Sequence, residues 1–176
     1  MSEQSSQERS QREEADLITQ RTSVREALGR EGIQPCTVEE SGDLLHICER
    51  LGEAPGVDIV AVVDEAGRLR GIIPVRLLLD ELFLHVAPEE FLADLRAMEG
   101  VEEFGKLSRA RSARDLMQPA VYVTMDDSVR EAFSRMHERR LEGLPIVDKE
   151  MRVVGYLDRL QLIQLWLQKH RRERGA

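Results

Sequence analysis

The chain has 176 residues, of which 41% are hydrophobic and only 4% are aromatic. A chain of this length can bury a substantial core, but that core must consist of aliphatic side chains, which argues against an aromatic platform for nucleobases. The net charge of −8, from 33 acidic and 25 basic residues, would repel a polyanion and argues against nucleic-acid binding.

Cysteine usage and the lack of long apolar runs indicate the compartment. Cys36 and Cys48 are too few for a disulfide framework and do not form a CxxC pair, so a reducing compartment is the simpler inference. Met1 to Asp16 contain no apolar signal segment, and no later stretch approaches the ~18 apolar residues of a membrane span. The sequence therefore predicts a cytoplasmic protein that does not enter a membrane.

The first predicted region in chain order is a disordered tail at 1–14. Its Ser, Gln, Glu and Arg residues bury too little apolar surface to offset the entropy of ordering. The apolar residues of 15–28 keep a loose helical spacing and predict one or two short helices. We place these helices and the first repeat in 15–85, the second repeat in 113–168, and a basic tail at 169–176 that complements the C-terminal end of a helix.

The chain contains an internal repeat. A shift of 84 residues, the interval between Gly71 and Gly155, lays 43–79 over 127–163 without a gap. The Val-Val-Asp run that ends at Asp64 then falls on an Ile-Val-Asp run, and the hydrophobic patterns agree nearly throughout. Such a repeat predicts two copies of one supersecondary unit.

Each copy is predicted to run strand, helix, strand, strand, helix, which is an α+β arrangement. The elements of the first copy are predicted at 37–38, 42–51, 59–63, 69–73 and from Pro74 onward. Those of the second copy are predicted at 122–123, after the cap Asp126-Asp127-Ser128, at 144–147, at 153–157 and at 160–167. The apolar residues Val129, Ala132, Phe133 and Met136 have helical spacing in the second copy.

An additional segment, 86–112, separates the two copies. Its apolar residues are spaced as in two short helices, with Pro88 suited to begin the first and Gly100 to separate them. The segment is longer than a plain connection requires. We predict a helical hairpin packed on the outer face, with a lid or a partner-docking surface as the alternative.

The second copy resembles the CBS (cystathionine beta-synthase) domain family. It has a leading helix that ends in Leu116-Met117, an Asp-x-Val-x-x-Ala helix from Asp127, a Gly-Leu-Pro-Ile-Val-Asp strand from Gly143, and a Val-Val-Gly strand from Val153. The first copy keeps the spacing between the Val-Val-Asp run and the following glycine. The resemblance covers roughly 24–167, apart from the insert.

The resemblance implies a tandem pair, also called a Bateman module. Its two repeats would pack through their sheets about a pseudo-two-fold axis and leave two clefts between them. It further implies a homodimer, a regulatory adenosyl ligand such as AMP, ATP or S-adenosylmethionine in the clefts, and a regulated enzyme or transporter as partner.

The family's ligand signature is altered in both copies. It consists of a glycine, two apolar residues, a Ser or Thr, two spacers and an Asp that bonds the ribose hydroxyls. Asp158 replaces the hydroxyl residue and Gln161 the ribose acid in the second copy, so a carboxylate faces the incoming phosphate and a neutral amide the ribose. Pro74 and Leu77 occupy these positions in the first copy, and Leu77 cannot bond a ribose.

The second-copy cleft is therefore the preferred ligand site, with the alternative that Asp158 and Gln161 are solvated helix-start residues. By resemblance, the ligand contacts are expected at Thr37, Ile59, Ile73, Arg76, Val121, Tyr122, Gly143, Leu144, Pro145, Gly155, Tyr156, Asp158, Arg159 and Gln161.

Other constellations do not indicate chemistry. No phosphate-binding glycine loop, nucleophile elbow or catalytic Cys-His or Ser-His-Asp order is recognisable, and the histidines lack metal-ligating spacing, so we predict neither catalytic residues nor a metal site. Carboxylate pairs such as Asp126-Asp127 would suit a hard cation, but they equally suit helix N-termini. Trp166 shares a helical stripe with Leu162, Ile163 and Leu167 that is typical of core or dimer packing.

The sequence thus predicts a non-catalytic regulatory module that senses an adenosyl ligand between its repeats. Two alternatives remain open, namely an oligomerisation or interaction scaffold with degenerate ligand sites, and a divalent-cation sensor.

Overall fold

The computed structural model describes residues 22–28, 32–86 and 112–174. The predicted tail at 1–14 and the body of the predicted insert, 87–111, lie outside these residues.

The first repeat contains the predicted order of elements. They are helix α1 (Val24–Leu28), strand β1 (Cys36–Glu39), helix α2 (Leu44–Gly52), strands β2 (Ile59–Val63) and β3 (Leu69–Pro74), and helix α3 (Val75–Val86). Helix α2 begins where it does because the side chain of Asp43 accepts a hydrogen bond from the His46 amide at 2.8 Å. Pro74 precedes α3, at a position where its missing N–H is not needed.

The second repeat has the same order and a longer final helix than predicted. Its elements are helix α4 (Ala113–Leu116), strands β4 (Gln118–Pro119) and β5 (Val123–Thr124), helix α5 (Val129–Arg139), strands β6 (Gly143–Val147) and β7 (Val153–Asp158), and helix α6 (Arg159–Arg174). Helix α5 starts with a capping box in which Ser128 and Glu131 each accept the other's backbone amide. The basic residues predicted as a tail continue α6 to Arg174.

The two sheets share one topology and one register. Strand β2 lies between β1, to which it is parallel, and β3, to which it is antiparallel. Strand β6 lies in the same way between β5 and β7. Each antiparallel pair has its irregularity at the same place, after Val62 in one repeat and after Ile146 in the other. Two copies of one unit are therefore present.

A pseudo-two-fold axis passes between the hairpins that join β2 to β3 and β6 to β7. The Leu69 amide donates to the Met151 carbonyl at 2.8 Å, and the Val153 amide donates to the Gly67 carbonyl at 3.3 Å. These bonds exchange equivalent residues, because Gly67 and Met151, like Leu69 and Val153, are related by the repeat interval. The predicted dyad is present in the structure.

Each repeat also lends its leading segment to the other. The Val24 amide of α1 donates to the Asp127 carbonyl at 2.8 Å, while the Ala113 amide of α4 donates to the Gly42 carbonyl at 2.7 Å. Strand β4, which the sequence reading missed, pairs with β3 of the first repeat through Gly71 and Pro119. A two-residue strand carries too short a pattern to be recognised, and only its partner in the other repeat defines it.

The core is aliphatic, as composition required, and it is centred on the two middle strands. All residues of β2 and β6 are buried, as expected for strands covered on both faces. In α5, Val129, Ala132 and Met136 are buried, but Phe133 is 53% exposed. The helical spacing grouped Phe133 with these three residues, but in the structure its side chain faces outward from α5.

Candidate functional site

A cavity of about 220 Å³ lies between the repeats, at the end of the first-repeat sheet where β2 begins and β3 ends. It is lined by Asp58, Ile59, Pro74, Val75, Arg76 and Leu79 of the first repeat and by Arg140, Leu141 and Glu142 of the second. The Val75 amide donates to the Asp58 carbonyl at 2.9 Å, which joins the start of α3 to the start of β2. The structure therefore has a cavity where a cleft between the repeats was predicted, and both repeats line it.

The cavity has apolar walls and charged residues of both signs. Ile59 and Leu141 are buried, whereas Asp58, Arg76 and Arg140 are exposed. The carboxylate of Glu142 lies 2.7 Å from the Arg159 guanidinium, so much of its charge is compensated. Apolar walls with a few charged groups are typical of small-molecule sites.

Arg140 has an unusual backbone conformation. It caps the C-terminus of α5 with φ 52° and ψ 45°, in the left-handed region. The equivalent first-repeat position is Gly56, with φ 82°. Because a Cβ atom makes this region unfavourable, the second repeat retains an arginine where a glycine would fit the backbone better.

The two altered signature residues of the second repeat bond to each other. The Asp158 amide donates to Gln161 Oε1 at 2.9 Å, and the Gln161 amide donates to Asp158 Oδ1 at 2.7 Å. The pair thus forms a reciprocal cap at the start of α6. The alternative that they are helix-start residues describes this geometry, but they are not solvated, because Asp158 is 7% and Gln161 8% exposed.

The second repeat has one small and one large residue, Gly143 and Tyr156, at two positions where the first repeat has two residues of similar size. Their equivalents, Ile72 and Ile59, are both of intermediate size, whereas a Cβ atom on Gly143 would overlap the Tyr156 hydroxyl. That hydroxyl accepts a hydrogen bond from the Asp58 amide of the other repeat at 3.2 Å. Burial raises the pKa of the Tyr156 phenol well above its usual value, so this contact stays neutral over the physiological pH range.

The predicted ligand residues do not lie together but are distributed over three cavities and the buried core. Ile59 and Arg76 line the inter-repeat cavity. Val121 and Tyr122 line another cavity, of about 500 Å³, in which Arg135 donates to the Tyr122 carbonyl. Thr37 lines a third, of about 450 Å³, beside the β2–β3 hairpin.

The other predicted residues, apart from Arg159, are buried. They are Ile73, Gly143, Leu144, Pro145, Gly155, Tyr156, Asp158 and Gln161. Arg159 pairs with Glu142.

Three charged residues of the cavity, Asp58, Arg140 and Glu142, were not among the predicted ligand contacts. Asp58 and Glu142 are equivalent under the repeat interval, and each directly precedes a middle strand. Since a dyad brings equivalent positions near its axis together, the repeat offset could have indicated that these segments meet.

An exposed apolar surface lies on the second repeat between α5 and α6. It surrounds a cavity of about 330 Å³ and is lined by Val129, Phe133, Arg159, Leu162, Ile163, Leu165 and Trp166. Of the predicted stripe on the last helix, Ile163 is 54% and Trp166 46% exposed, whereas Leu162 packs against the core. The Phe133 ring stacks on His137, with centroids 5.9 Å apart.

The family model of the CBS domain matches residues 113–167. The second repeat is a CBS domain. No curated protein sequence matches the chain. A CBS domain-containing protein from Thermotoga maritima is 26% identical, with a TM-score of 0.64 over 81% of this chain and 92% of that one.

Two ligand complexes have the same fold as this chain. CBSX2 in complex with AMP is 21% identical, with a TM-score of 0.62 over 84% of this chain and 97% of that one. The CBS domain pair of protein MJ0100, in complex with 5′-methylthioadenosine and S-adenosyl-L-methionine, is 19% identical, with a TM-score of 0.60 over 84% and 98%. The predicted fold, a tandem CBS pair related by a pseudo-two-fold axis, is confirmed.

Within the described ranges, no helix is both long and apolar enough to cross a membrane. Across the same residues, no group of three or more His, Cys, Asp or Glu side chains is arranged to hold a metal ion.

Proposed function

We propose that this CBS pair is a non-catalytic regulatory module that binds an adenosyl ligand between its repeats and transmits the binding to a partner. The observation that carries the proposal is the cavity lined by Asp58, Ile59 and Arg76 from one repeat and by Arg140 and Glu142 from the other. A ligand there contacts both repeats at once. It favours whichever arrangement of the repeats gives it the better contacts, which is the physical requirement for a sensor.

The adenosyl class is supported by relatives of the same fold. Structures of this fold have been solved with AMP, and with 5′-methylthioadenosine and S-adenosyl-L-methionine. The CBS domain fold also occurs in the cytosolic domain of the Mg²⁺ channel MgtE in complex with ATP. The partner of this chain is proposed by the same analogy to be an enzyme or a transporter.

A thermal-shift panel tests the proposal. The chain is heated with AMP, ADP, ATP, S-adenosylmethionine, NADH or Mg²⁺, each at millimolar concentration. A ligand at 100 times its Kd stabilises the folded state by about 2.7 kcal/mol, so at least one adenosyl compound is expected to raise the unfolding midpoint. A response to Mg²⁺ alone would instead support the divalent-cation sensor.

A scaffold function is the second candidate, and the Asp158–Gln161 cap favours it. Both signature side chains of the second-repeat cleft are engaged with each other's backbone, so they are not presented to a ligand. Replacing Asp158 with Thr and Gln161 with Asp would test this candidate. If AMP binding in the variant does not exceed that of the wild type, closure of the cleft, rather than the identity of these side chains, prevents binding there.

The predicted homodimer is proposed to form through the exposed surface between α5 and α6. Phe133, Ile163 and Trp166 expose apolar area there, and burial of such area against a second copy is favourable. Sedimentation of the wild type and of the Trp166→Glu variant checks the proposal. A dimer that dissociates in the variant is expected, and a monomeric wild type would contradict it.

A further inference from the structure

The repeat interval defines a second cleft between the repeats, related to the cavity by the dyad. Under this interval Ile59, on the first-repeat wall of the cavity, corresponds to Gly143, and Glu142, on the second-repeat wall, corresponds to Asp58. Gly143 and Asp58 therefore belong to opposite walls of the second-repeat cleft. A side chain that lies between them occupies the space that is a cavity in the first-repeat cleft.

The side chain of Tyr156 lies between these two walls. Its hydroxyl takes the place where Gly143 would carry a Cβ atom, and the Asp58 amide donates a hydrogen bond to the same hydroxyl at 3.2 Å. The side chain is buried. A residue of the second repeat thus reaches the backbone of the first repeat through the cleft.

The charges around the Tyr156 hydroxyl also place it in this cleft. Burial is the main reason why the pKa of the phenol is raised, and the carboxylates of Asp58, Asp158 and Glu142 act in the same direction. Asp58 belongs to the first repeat and the other two residues to the second. Because the phenol stays neutral, it lies among these carboxylates without charge repulsion.

The first repeat has a shorter side chain at the equivalent position. Ile72 corresponds to Tyr156 and is likewise buried, but an isoleucine ends well short of the reach of a tyrosine. The cavity of about 220 Å³ remains between the walls on this side of the dyad. The difference between these two side chains accounts for an open cleft in one case and a filled cleft in the other.

We infer that Tyr156 is a built-in occupant of the second-repeat cleft, so that of the two clefts the first alone is open to a ligand. The consequence for sensing rests on the proposed function. Because the Tyr156 hydroxyl bonds to the opposite repeat, this side chain holds the second cleft in one arrangement whether or not a ligand is bound. A ligand then changes the contacts between the repeats on one side of the dyad.

Hydrogen exchange of the Asp58 amide, followed by NMR on the full chain, tests the position of the hydroxyl. Tyr156→Phe keeps the ring and removes the hydroxyl, so the Asp58 amide loses its acceptor and is expected to exchange about tenfold faster. An unchanged exchange rate would overturn the inference, because the amide would then have no bond that reaches across the cleft.

Phenol and benzene test whether the ring fills a space that a separate molecule can enter. Tyr156→Ala removes the ring and is expected to lower the unfolding midpoint by about 10 °C. Phenol at millimolar concentration is expected to raise the midpoint of this variant, but not that of the wild type, and to slow exchange of the Asp58 amide. Benzene, which has no hydroxyl, is expected to stabilise the variant without slowing that exchange.

The same comparison applies if Tyr156→Ala folds only when phenol is present, which would support the inference. A variant that neither binds phenol nor is refolded by it would overturn the inference. Equal slowing of Asp58 exchange by phenol and by benzene would also overturn it, because the hydroxyl would then have no role at that amide.

Met136→Ala is the matched control, since it empties a buried position of α5 that has no counterpart among the cavity residues. Phenol is expected to leave exchange of the Asp58 amide unchanged in this variant. An equal response in the Met136 variant would show that phenol acts on the whole molecule, and the assignment of the ring to the cleft would be wrong.

Titration calorimetry of the wild type with AMP tests the consequence for sensing. A single site per chain is expected. A second site of similar affinity would overturn the inference and leave the proposed function standing. If AMP, ATP and S-adenosylmethionine all fail to bind while the phenol results are as expected, the proposed function fails and Tyr156 remains the occupant of the second-repeat cleft.

Discussion

The two repeats have one backbone but different side chains at its most constrained positions. Two positions per repeat lie in the left-handed region, and the first repeat fills both with glycine, Gly56 and Gly67, while the second uses Arg140 and Met151. The sheets keep the same register and the same irregularity despite these differences. The comparison teaches that the supersecondary unit tolerates local strain, so the second repeat can place a charged side chain where the first has none.

The same contrast holds in the packing beside the dyad. The first repeat fills the space with Ile59 and Ile72, the second with Gly143 and Tyr156. Only the second arrangement sends a hydroxyl to the other repeat, at the Asp58 amide. The repeats are thus equivalent in shape and unequal in the polar groups they present at their common boundary.

The largest loss of stability is expected when a side chain from the first-repeat packing is placed in the second repeat. Gly143→Ile adds a side chain where the Tyr156 hydroxyl lies, and overpacking of this kind should lower the free energy of unfolding by about 3 kcal/mol. Combining it with Tyr156→Ile recreates the first-repeat pair and should recover more than half of the loss. Urea unfolding of both single variants and the double variant measures this coupling; strictly additive effects would contradict the exchange of volumes.

A smaller effect is expected at Gly71, where the repeats differ in their neighbours. A Cβ atom there would lie 2.7 Å from the Gln118 carbonyl oxygen of β4, whereas one on the equivalent Gly155 would lie 3.3 Å from Ile146 Cδ1. Gly71→Ala should therefore destabilise the fold by about 2 kcal/mol, since β3 and β4 must separate. Gly155→Ala is the matched control and should cost less than about 1 kcal/mol, because a side-chain methyl can shift; equal losses in urea unfolding would count against this account.

Alanine substitutions at the starts of the helices that follow β3 and β7 should differ in their effect on the free energy of unfolding. Asp158→Ala removes the acceptor for the Gln161 amide and should cost about 1 kcal/mol, which is typical of a lost N-cap. Pro74→Ala at the equivalent position, which is buried, removes no such bond and should cost only about 0.5 kcal/mol, from the added entropy of the unfolded chain. Thermal unfolding followed by circular dichroism checks both, and a larger loss in the Pro74 variant would argue against a structural role for the cap.

Small effects of opposite sign are expected from exchanging the left-handed residues. Arg140→Gly should raise the free energy of unfolding by about 0.5 kcal/mol, because relief of strain exceeds the added chain entropy of glycine. Gly56→Arg should lower it by about 1 kcal/mol. Chemical unfolding of the two variants gives the sign of each change, and a destabilised Arg140→Gly protein would show that the arginine contributes to the fold itself.

Much of the fold followed from the sequence because the two copies support each other's interpretation. The β2 span, 59–63, was predicted with its correct bounds. The hairpins were indicated by an aspartate that stands directly before the turn in both repeats, Asp64 and Asp148. The carboxylate of Asp64 accepts the Ala66 and Arg68 amides, as that of Asp148 accepts the Glu150 and Arg152 amides. Such bonds span two to four residues, so local sequence contains the information.

The site was less predictable because it depends on contacts between distant parts of the chain. The sequence alone determined the repeat, the order of elements, the aliphatic core and the loss of the usual ligand signature. Only the tertiary structure decided that Asp158 and Gln161 are buried, that Phe133 faces outward, and that Arg76 and Arg140 line one cavity. The physical reason is that hydrophobic periodicity and capping act within a few residues, whereas a cavity between repeats exists only once the dyad has brought segments from opposite halves of the chain together.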